Sequence, residues 1–213
     1  MAQKHEIKPD STQTQRLLDR GRAGDQSAFE ELFRRHRAFV RQVIDLRLDD
    51  RLRARVDPSD IVQETQMEAF RRLPDYFERE PMPFHLWLRC TAYDRLQAAR
   101  RRHLGAGKRS ALRECLLPEG SSIHLAEQFM AKGSTPSHHL SRRELVREVR
   151  QVMEELSEAD REILIMRNLE SLTNQEVAQV LAIEPATASQ RYGRALLRLR
   201  QQLIKHNLLE SES

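Results

Sequence analysis

The sequence predicts an all-α fold made of two small helical domains that are joined by a flexible linker. Of the 213 residues, 32% are charged and only 7 are glycine, a composition typical of soluble helical proteins. Long Val/Ile/Thr alternation, which would indicate a β-sheet, is absent. Nine aromatic residues fall between residues 29 and 93, whereas residues 104–140 accumulate Gly, Ser and Pro. These observations indicate an aromatic-rich core, a linker and a second helical core.

The first domain, residues 25–103, is predicted to contain three long helices. SAFEELFRRHRAFVRQVIDLRL places apolar side chains at helical spacing and leaves a basic outer face. In DPSDIVQETQMEAFRRL, Asp57 is suited to cap a helix that starts with Pro58, and we expect this helix to end before Pro74. Two prolines make DYFEREPMPFHLW a loop or short turn, and the third helix is expected from about Phe84 to His103.

The rest of the chain divides at residues 24, 103 and 140. Residues 1–24 form an N-terminal extension, residues 104–140 the linker, and residues 141–208 the second domain. In that domain SRRELVREVRQVMEEL and LSEADREILIMRNLES are predicted helices, and Ser157 is suited to cap the latter.

The stretch LTNQEVAQVLAIEPATASQRYGRALLRLR, Leu172–Arg200, predicts a helix-turn-helix. Thr173 and Glu176 have the spacing of a capping box, the first helix ends near Leu181, and Pro185 begins the second. Apolar residues of the second helix face inward, which leaves short polar groups and guanidiniums outside. Such groups reach base edges and phosphates when a helix lies in the major groove. The outward residues are Thr187, Ser189, Gln190, Arg191 and Arg194.

An ordinary helical hairpin with a solvated polar face fits the same two-helix pattern. However, five basic residues and no acidic residue lie between Pro185 and Leu209. A segment with one sign of charge favours a polyanionic partner over bare solvation.

Composition also restricts the functional classes. The formal net charge is +4 and the isoelectric point about 9.4, which is compatible with nucleic-acid binding. Neither an 18-residue apolar run nor an apolar signal segment is present, which predicts a cytoplasmic protein without a membrane span. Two cysteines are too few for a disulfide framework or a Cys-based zinc site. We find no catalytic Ser/His/Asp grouping, phosphate-binding Gly loop or metal-ligand spacing, so we expect no enzyme, cofactor or metal site.

Three motifs, in order and at the expected separations, resemble those of the extracytoplasmic-function (group IV) sigma factors in the sigma-70 family of bacterial RNA polymerase. They are DPSDIVQETQMEAF, FHLWLRCTAYDRLQAARRR and LSEADREILIMRNLESLTNQEVAQVLAIEPATASQRYGRALLRLR. The resemblance implies a sigma-2 helical bundle over residues 25–103 and a sigma-4 helix-turn-helix over residues 141–208. It implies a non-enzymatic subunit that binds core polymerase, recognises the minus-ten and minus-thirty-five promoter elements, and promotes transcription initiation. The implied partners are the clamp helices of the largest subunit, the beta flap, promoter DNA and an anti-sigma protein.

The resemblance also implies two surfaces in the first domain. An acidic and amide patch with an apolar centre would dock on the basic clamp helices; its residues are Asp60, Ile61, Gln63 and Glu64. The Pro-broken loop and the third helix would capture the single-stranded minus-ten element, using apolar surfaces for bases and basic groups for phosphates. The residues of this second surface are Glu78, Arg79, Glu80, Met82, Asp94, Arg95, Arg100, Arg101 and Arg102. We assign Trp87 to the core because it lies at helical spacing.

In the second domain, the resemblance implies a helix that reads the minus-thirty-five duplex. Thr187, Ser189, Gln190 and Arg191 would lie nearest the bases, and Arg194 would contact phosphate. The chain departs from the family pattern where Ala182 stands in place of a turn glycine and Glu184 in place of a capping serine. These two departures predict a turn adopted at some energetic cost and a weaker cap. In the third helix of the first domain, Asp94 and Ala98 replace the usual Asn and Asp.

Two other classes fit parts of the sequence. A regulator of LuxR type would bind a palindromic duplex as a dimer, but the first domain lacks the βα pattern of a phosphoacceptor domain. An enzyme acting on nucleic acid, such as a recombinase, would need a catalytic grouping that the sequence lacks.

Overall fold

The computed structural model describes residues 12–104 and 142–208, together with residues 118, 120, 121 and 125. Every secondary-structure element in these ranges is helical, which confirms the predicted all-α fold. The predicted linker lies almost entirely outside the described residues. The elements are α1 (Thr12–Arg22), α2 (Gln26–Asp45), α3 (Asp50–Arg53), α4 (Pro58–Arg79), α5 (Phe84–Leu104), α6 (Arg142–Glu155), α7 (Glu158–Leu164), a π-helical turn (Ile165–Leu169), α8 (Asn174–Leu181) and α9 (Pro185–Lys205).

The chain divides into two compact units. The first comprises Met1–Asp45 and Arg53–His103, and the second comprises Leu46–Leu52 and Leu104–Ser213. The domain borders drawn from the sequence stay predictions. They did not anticipate that Leu46–Leu52 groups with the C-terminal residues, nor that the N-terminal extension contains a helix, α1.

Helix α4 is longer than the sequence predicts. It begins as expected, because the Asp57 carboxylate accepts a hydrogen bond from the backbone N–H of Ser59 at 2.6 Å and Pro58 stands in the first turn. The prediction that this helix ends before Pro74 is wrong, since it continues to Arg79 with the proline inside. An interior proline costs about 3 kcal/mol. Burial of Leu73 and Tyr76 beside it supplies a compensating gain of about 1.5–3 kcal/mol for each side chain.

Aromatic side chains from α4 and α5 form one part of the core of the first unit. The ring centroid of Tyr76 lies 5.6 Å from that of Phe84 and 4.8 Å from that of Trp87. Phe84 is fully buried and Trp87 is only 7% exposed, which confirms that the tryptophan belongs to the core. The end of α4 and the start of α5 therefore pack against each other through these buried rings, and only a short loop separates the two helices.

The second unit is built around α9, which packs against α6, α7 and α8. The predicted cap of α7 is confirmed, because the backbone N–H of Asp160 donates to Oγ of Ser157 at 3.1 Å. Helix α7 passes directly into the π-helical turn. This arrangement holds α9 by its inner face and leaves its other face to solvent.

Candidate nucleic-acid interface

The predicted helix-turn-helix is present as α8 and α9. The capping box is confirmed: the N–H of Glu176 donates to Oγ1 of Thr173 at 3.2 Å, and the N–H of Thr173 donates to Oε2 of Glu176 at 2.6 Å. The Asn174 amide donates to the carbonyl of Pro185 at 2.7 Å, which ties the start of α8 to the start of α9. Short-range sequence signals thus set both helix starts.

The turn between the helices contains both predicted departures. Ala182 ends α8 with φ 50° and ψ 48°, a left-handed conformation that a methyl-bearing residue adopts at a cost. Glu184 occupies the N-cap of α9, and its side chain makes no capping hydrogen bond there. The turn therefore contains a left-handed residue other than glycine, and α9 begins without a side-chain cap.

The outer face of α9 carries a row of polar and basic side chains. Ser189, Gln190, Arg191 and Arg194 are exposed, and Thr187 is partly buried. The inner face is apolar, with Ala188, Ala195, Leu199 and Leu203 buried. The predicted orientation of this helix is confirmed, and the four exposed side chains do not belong to the packed core.

Two other basic residues of α9 form ion pairs within the second unit. Arg198 donates to the carboxylate of Asp160 at 2.6 Å, and Lys205 donates to Glu155 at 3.3 Å. These ion pairs join α9 to α7 and α6. The charge that distinguishes the segment in the sequence is thus only partly available to a ligand.

The π-helical turn fixes the rotation of α9. The Tyr192 hydroxyl donates to Oδ1 of Asn168 at 3.1 Å, and the Arg167 guanidinium lies 5.2 Å from the centre of the Tyr192 ring. Arg167 also donates to the carbonyl of Leu172. Sequence reasoning missed both partners, because helical periodicity does not indicate a π turn.

In the first unit, the residues predicted to take the minus-ten strand lie in the last turn of α4, on the loop that follows it and along α5. Glu80 ends α4 with φ 34°, and its N–H donates to the Tyr76 carbonyl at 2.8 Å. The Tyr76 hydroxyl donates to the carbonyl of Met82 at 3.2 Å. Glu78, Arg79 and Glu80 are exposed and Met82 is partly buried.

On α5 the predicted set separates into surface and core. Asp94, Arg101 and Arg102 are exposed and Arg95 is partly buried. Arg100, in contrast, is only 5% exposed. Its burial removes it from the predicted surface, since three consecutive arginines span 200° of a helix and do not all share one face.

The predicted polymerase patch on α4 needs a similar correction. Asp60 and Gln63 are exposed and Glu64 is partly exposed, but Ile61 is only 1% exposed and belongs to the core. The apolar residues that do reach the surface lie further along the helix: Met67 is 72% exposed and Phe70 is 48% exposed. The predicted patch included neither residue, although both follow Gln63 at helical spacing.

Two further properties bear on function. Across the described ranges, no three His, Cys, Asp or Glu side chains converge in a way that could hold a metal ion. None of the described helices combines the length and the apolar character of a membrane-spanning segment.

Comparisons with known proteins give a consistent result. The family model "Sigma-70, region 4" matches residues 146–199, which include α7, the π-helical turn, α8 and most of α9. The chain is 26% identical over 181 residues to the ECF RNA polymerase sigma-E factor of Haemophilus influenzae, covering 85% of this chain and 90% of that protein. It is 25% identical over 183 residues to the RNA polymerase sigma-H factor of Pseudomonas aeruginosa, covering 86% and 90%.

A solved structure shares the fold. CnrH, solved in complex with the cytosolic domain of CnrY, matches 91% of this chain and 98% of its own with a TM-score of 0.57 and 22% sequence identity. The resemblance seen in the three motifs is confirmed by these independent matches. Residues 146–199 match the sigma-70 region 4 family, and the two relatives over most of the chain support an RNA polymerase sigma factor of the extracytoplasmic-function group.

Proposed function

We propose that this sigma factor divides promoter recognition between its two units while it is bound to core polymerase. The outer face of α9 reads the minus-thirty-five element as duplex DNA. The loop between α4 and α5, together with α5, captures the minus-ten element as a single strand. The observation that carries the proposal is the exposed row Ser189, Gln190, Arg191 and Arg194 on a helix whose opposite face is packed.

The chemistry of that row suits a duplex. Gln and Arg can each form paired hydrogen bonds with base edges in the major groove, and a guanidinium also binds phosphate. The residues lie in the first half of α9, the part that enters the groove in helix-turn-helix proteins. The ion pairs of Arg198 and Lys205, further along, hold the helix to its own unit.

The loop between α4 and α5 suits a single strand. Its two prolines and the Tyr76 hydrogen bonds restrict its shape before any ligand arrives. Arg101 supplies exposed positive charge beyond it on α5, whereas the exposed Arg102 is paired with Glu64 at 2.9 Å. A preformed receptor for bases beside a basic track is the arrangement that single-strand capture needs.

The exposed side of α4 suits a protein partner. Met67 and Phe70 expose apolar surface, and Asp60, Gln63 and Glu64 surround it with polar and acidic groups. An apolar centre with a polar rim is typical of a docking surface. We assign it to the clamp helices of the largest polymerase subunit. The same proposal includes a contact with the beta flap of the polymerase. It also places the protein in the cytoplasm, where transcription occurs, and gives the chain no catalytic role.

CnrH was solved in complex with the cytosolic domain of CnrY. By analogy, we include a regulatory protein of the anti-sigma type among the partners proposed here. Addition of such a protein should abolish the initiation that depends on the full chain.

The experiment that tests the proposal is transcription in vitro with bacterial core polymerase, with and without the full chain. The template comes from a randomised duplex library selected by the wild-type holoenzyme. We expect initiation at discrete sites only when the chain is present. Initiation without the chain, or duplex binding by a dimer that needs no polymerase, would contradict the proposal.

Arg191→Ala sharpens this test. We expect weaker recognition of the minus-thirty-five element, by about 1–3 kcal/mol of base discrimination, because a base-edge contact is lost. Association with core polymerase should be unchanged. The matched control is Arg200→Ala: Arg200 is exposed on the same helix but lies nine residues on, about 180° around it. Equal losses for the two variants would reject the assignment of Arg191 to the bases.

A further inference from the structure

The end of α1 lies against the end of α4, directly beside the loop that precedes α5. A methyl group at Gly21 would approach Cζ of Phe77 to 3.3 Å, so the two helices are in close contact there. The Arg22 guanidinium lies 5.5 Å from the centre of the Phe77 ring. Its Nη2 also donates to Oε1 of Glu80. Arg22 therefore reaches from the N-terminal extension to the residue at which α4 ends.

Glu80 is the residue on which the shape of this loop depends. Its φ of 34° turns the chain out of α4, and the prolines that follow have restricted backbones of their own. The hydrogen bonds of Tyr76 hold the backbone on both sides of this turn, at the N–H of Glu80 and the carbonyl of Met82. Arg22 holds the remaining free part, the Glu80 side chain. The left-handed residue is thus fixed at its backbone by α4 and at its side chain by α1.

Charge gives the contact a second consequence. A carboxylate beside the path of a DNA strand repels phosphate, whereas a carboxylate paired with a guanidinium presents little net charge. Arg22 is 47% exposed and Glu80 is 55% exposed, so both groups lie where a strand could approach. The pair can therefore hold the loop without placing a net negative charge on it.

We propose that Arg22, in the N-terminal extension, is a positioning residue for the loop that captures the minus-ten strand: it fixes the Glu80 side chain and neutralises its charge. The inference rests on the proposed function, because it concerns how strongly a single DNA strand binds to that loop. It assigns to α1 a role in promoter capture that the three sequence motifs do not include.

The test measures how tightly holoenzymes bind a labelled single-stranded oligonucleotide. The oligonucleotide carries the non-template strand of the promoter selected by the wild-type holoenzyme. Arg22→Ala should weaken strand binding roughly three- to tenfold, in line with one exposed ion pair and one cation–π contact. Association with core polymerase and the thermal midpoint should stay close to wild type. Arg20→Ala is the matched control: Arg20 lies on the same helix with 56% of its side chain exposed, but its partner is Asp25. It should bind the strand as the wild type does.

A second pair of variants separates pairing from a general structural effect. In the Glu80→Gln background the carboxylate is absent, so adding Arg22→Ala should change strand binding by less than twofold. An equal loss in both backgrounds would overturn the proposal, as would equal strand binding by Arg22→Ala and Arg20→Ala, or a loss of core association that parallels the loss of strand binding. If the wild-type chain fails to direct initiation at any promoter, the proposed function itself fails. That outcome is distinct from an Arg22 variant that merely behaves like wild type.

Discussion

Two left-handed residues stand before the two predicted reading elements, and the protein supports them differently. Glu80, with φ 34°, ends α4 before the loop proposed to take the minus-ten strand, and Ala182, with φ 50°, ends α8 before α9. Neither is glycine, so each conformation carries a cost of about 1–2 kcal/mol. Glu80 is held by an ion pair from another helix and rests on the buried Tyr76. Ala182 has only a methyl side chain, and its turn is closed by backbone bonds of 3.2 Å from its own N–H to Gln179 and 3.0 Å from Ile183 to Ala178.

The proposed duplex-reading helix and the proposed strand-capturing loop should therefore respond differently to substitutions elsewhere in the chain. The turn before α9 is a local structure, closed within a few residues of chain, so substitutions at a distance should leave its shape intact. The loop before α5 depends on residues of α1 and α4 that are far apart in the chain. Changes in the first unit should therefore affect strand capture more readily than changes in the second unit affect duplex reading.

The largest expected effect comes from truncating Tyr76, the buried side chain that packs beneath the loop between α4 and α5. Tyr76→Ala should lower the free energy of unfolding by about 3–5 kcal/mol, because it leaves a cavity beside Phe84 and Trp87 and removes the hydrogen bond to Met82. Denaturant unfolding of the full chain, followed by hydrogen exchange, measures the loss and locates it in the first unit. Tyr93→Ala, at a partly exposed position, is the control. A loss of similar size at both positions would contradict the central role of Tyr76.

Substituting glycine at the two left-handed residues compares the sites directly. Ala182→Gly should stabilise the second unit by about 1 kcal/mol, since it relieves the backbone and removes no side-chain contact beyond a methyl group. Glu80→Gly gives the same backbone relief but loses the ion pair with Arg22, worth about 0.2–1 kcal/mol at an exposed site. Its net effect on stability should be close to zero. Amide hydrogen exchange in α9 and in α4 reports the two changes separately, and equal stabilisation at both sites would contradict the expected difference.

Local signals made much of the fold predictable. Asp57 with Pro58, Ser157, and Thr173 with Glu176 each act within a few residues, and the structure shows all three caps as expected. The end of α4 could not be predicted in this way. Pro74 is a strong local breaker, and what outweighs it is the burial of residues against another helix. Local preference fails where tertiary packing supplies more free energy.

The candidate surfaces were predictable in position but not in membership. Periodicity places a face on a helix, yet an error of one position moves a side chain by 100°. That is why Ile61 and Arg100 proved to be buried while Met67 proved to be exposed. The contact of Arg22 with Glu80 joins residues 58 positions apart, and a single sequence carries no signal for such a pair.

The smallest expected effect concerns pH and the attachment of α1 to α2. The Asp25 carboxylate accepts hydrogen bonds from the backbone N–H of Ser27 at 3.0 Å, from its hydroxyl at 2.6 Å, and from Nε of Arg20 at 2.9 Å. The Ser27 hydroxyl and Arg20 lower the pKa of Asp25 from its ordinary value of 3.8 to about 2. A carboxyl with a lowered pKa stabilises the folded state above its ordinary pKa, and this contribution is lost as the pH falls to the folded value.

Asp25→Asn should therefore be less stable than wild type by a constant amount above pH 4, and the gap should close as the pH approaches 2. Denaturant unfolding at a series of pH values measures the gap, with Glu30→Gln, at an exposed position of α2, as the control. The variant also distinguishes two contacts of α1. Asp25 fastens α1 to α2, whereas Arg22 joins it to the loop, so Asp25→Asn should lower stability slightly while single-strand binding at neutral pH stays near wild type. A loss of strand binding as large as that of Arg22→Ala would mean that the loop depends on the placement of α1 as a whole rather than on one guanidinium.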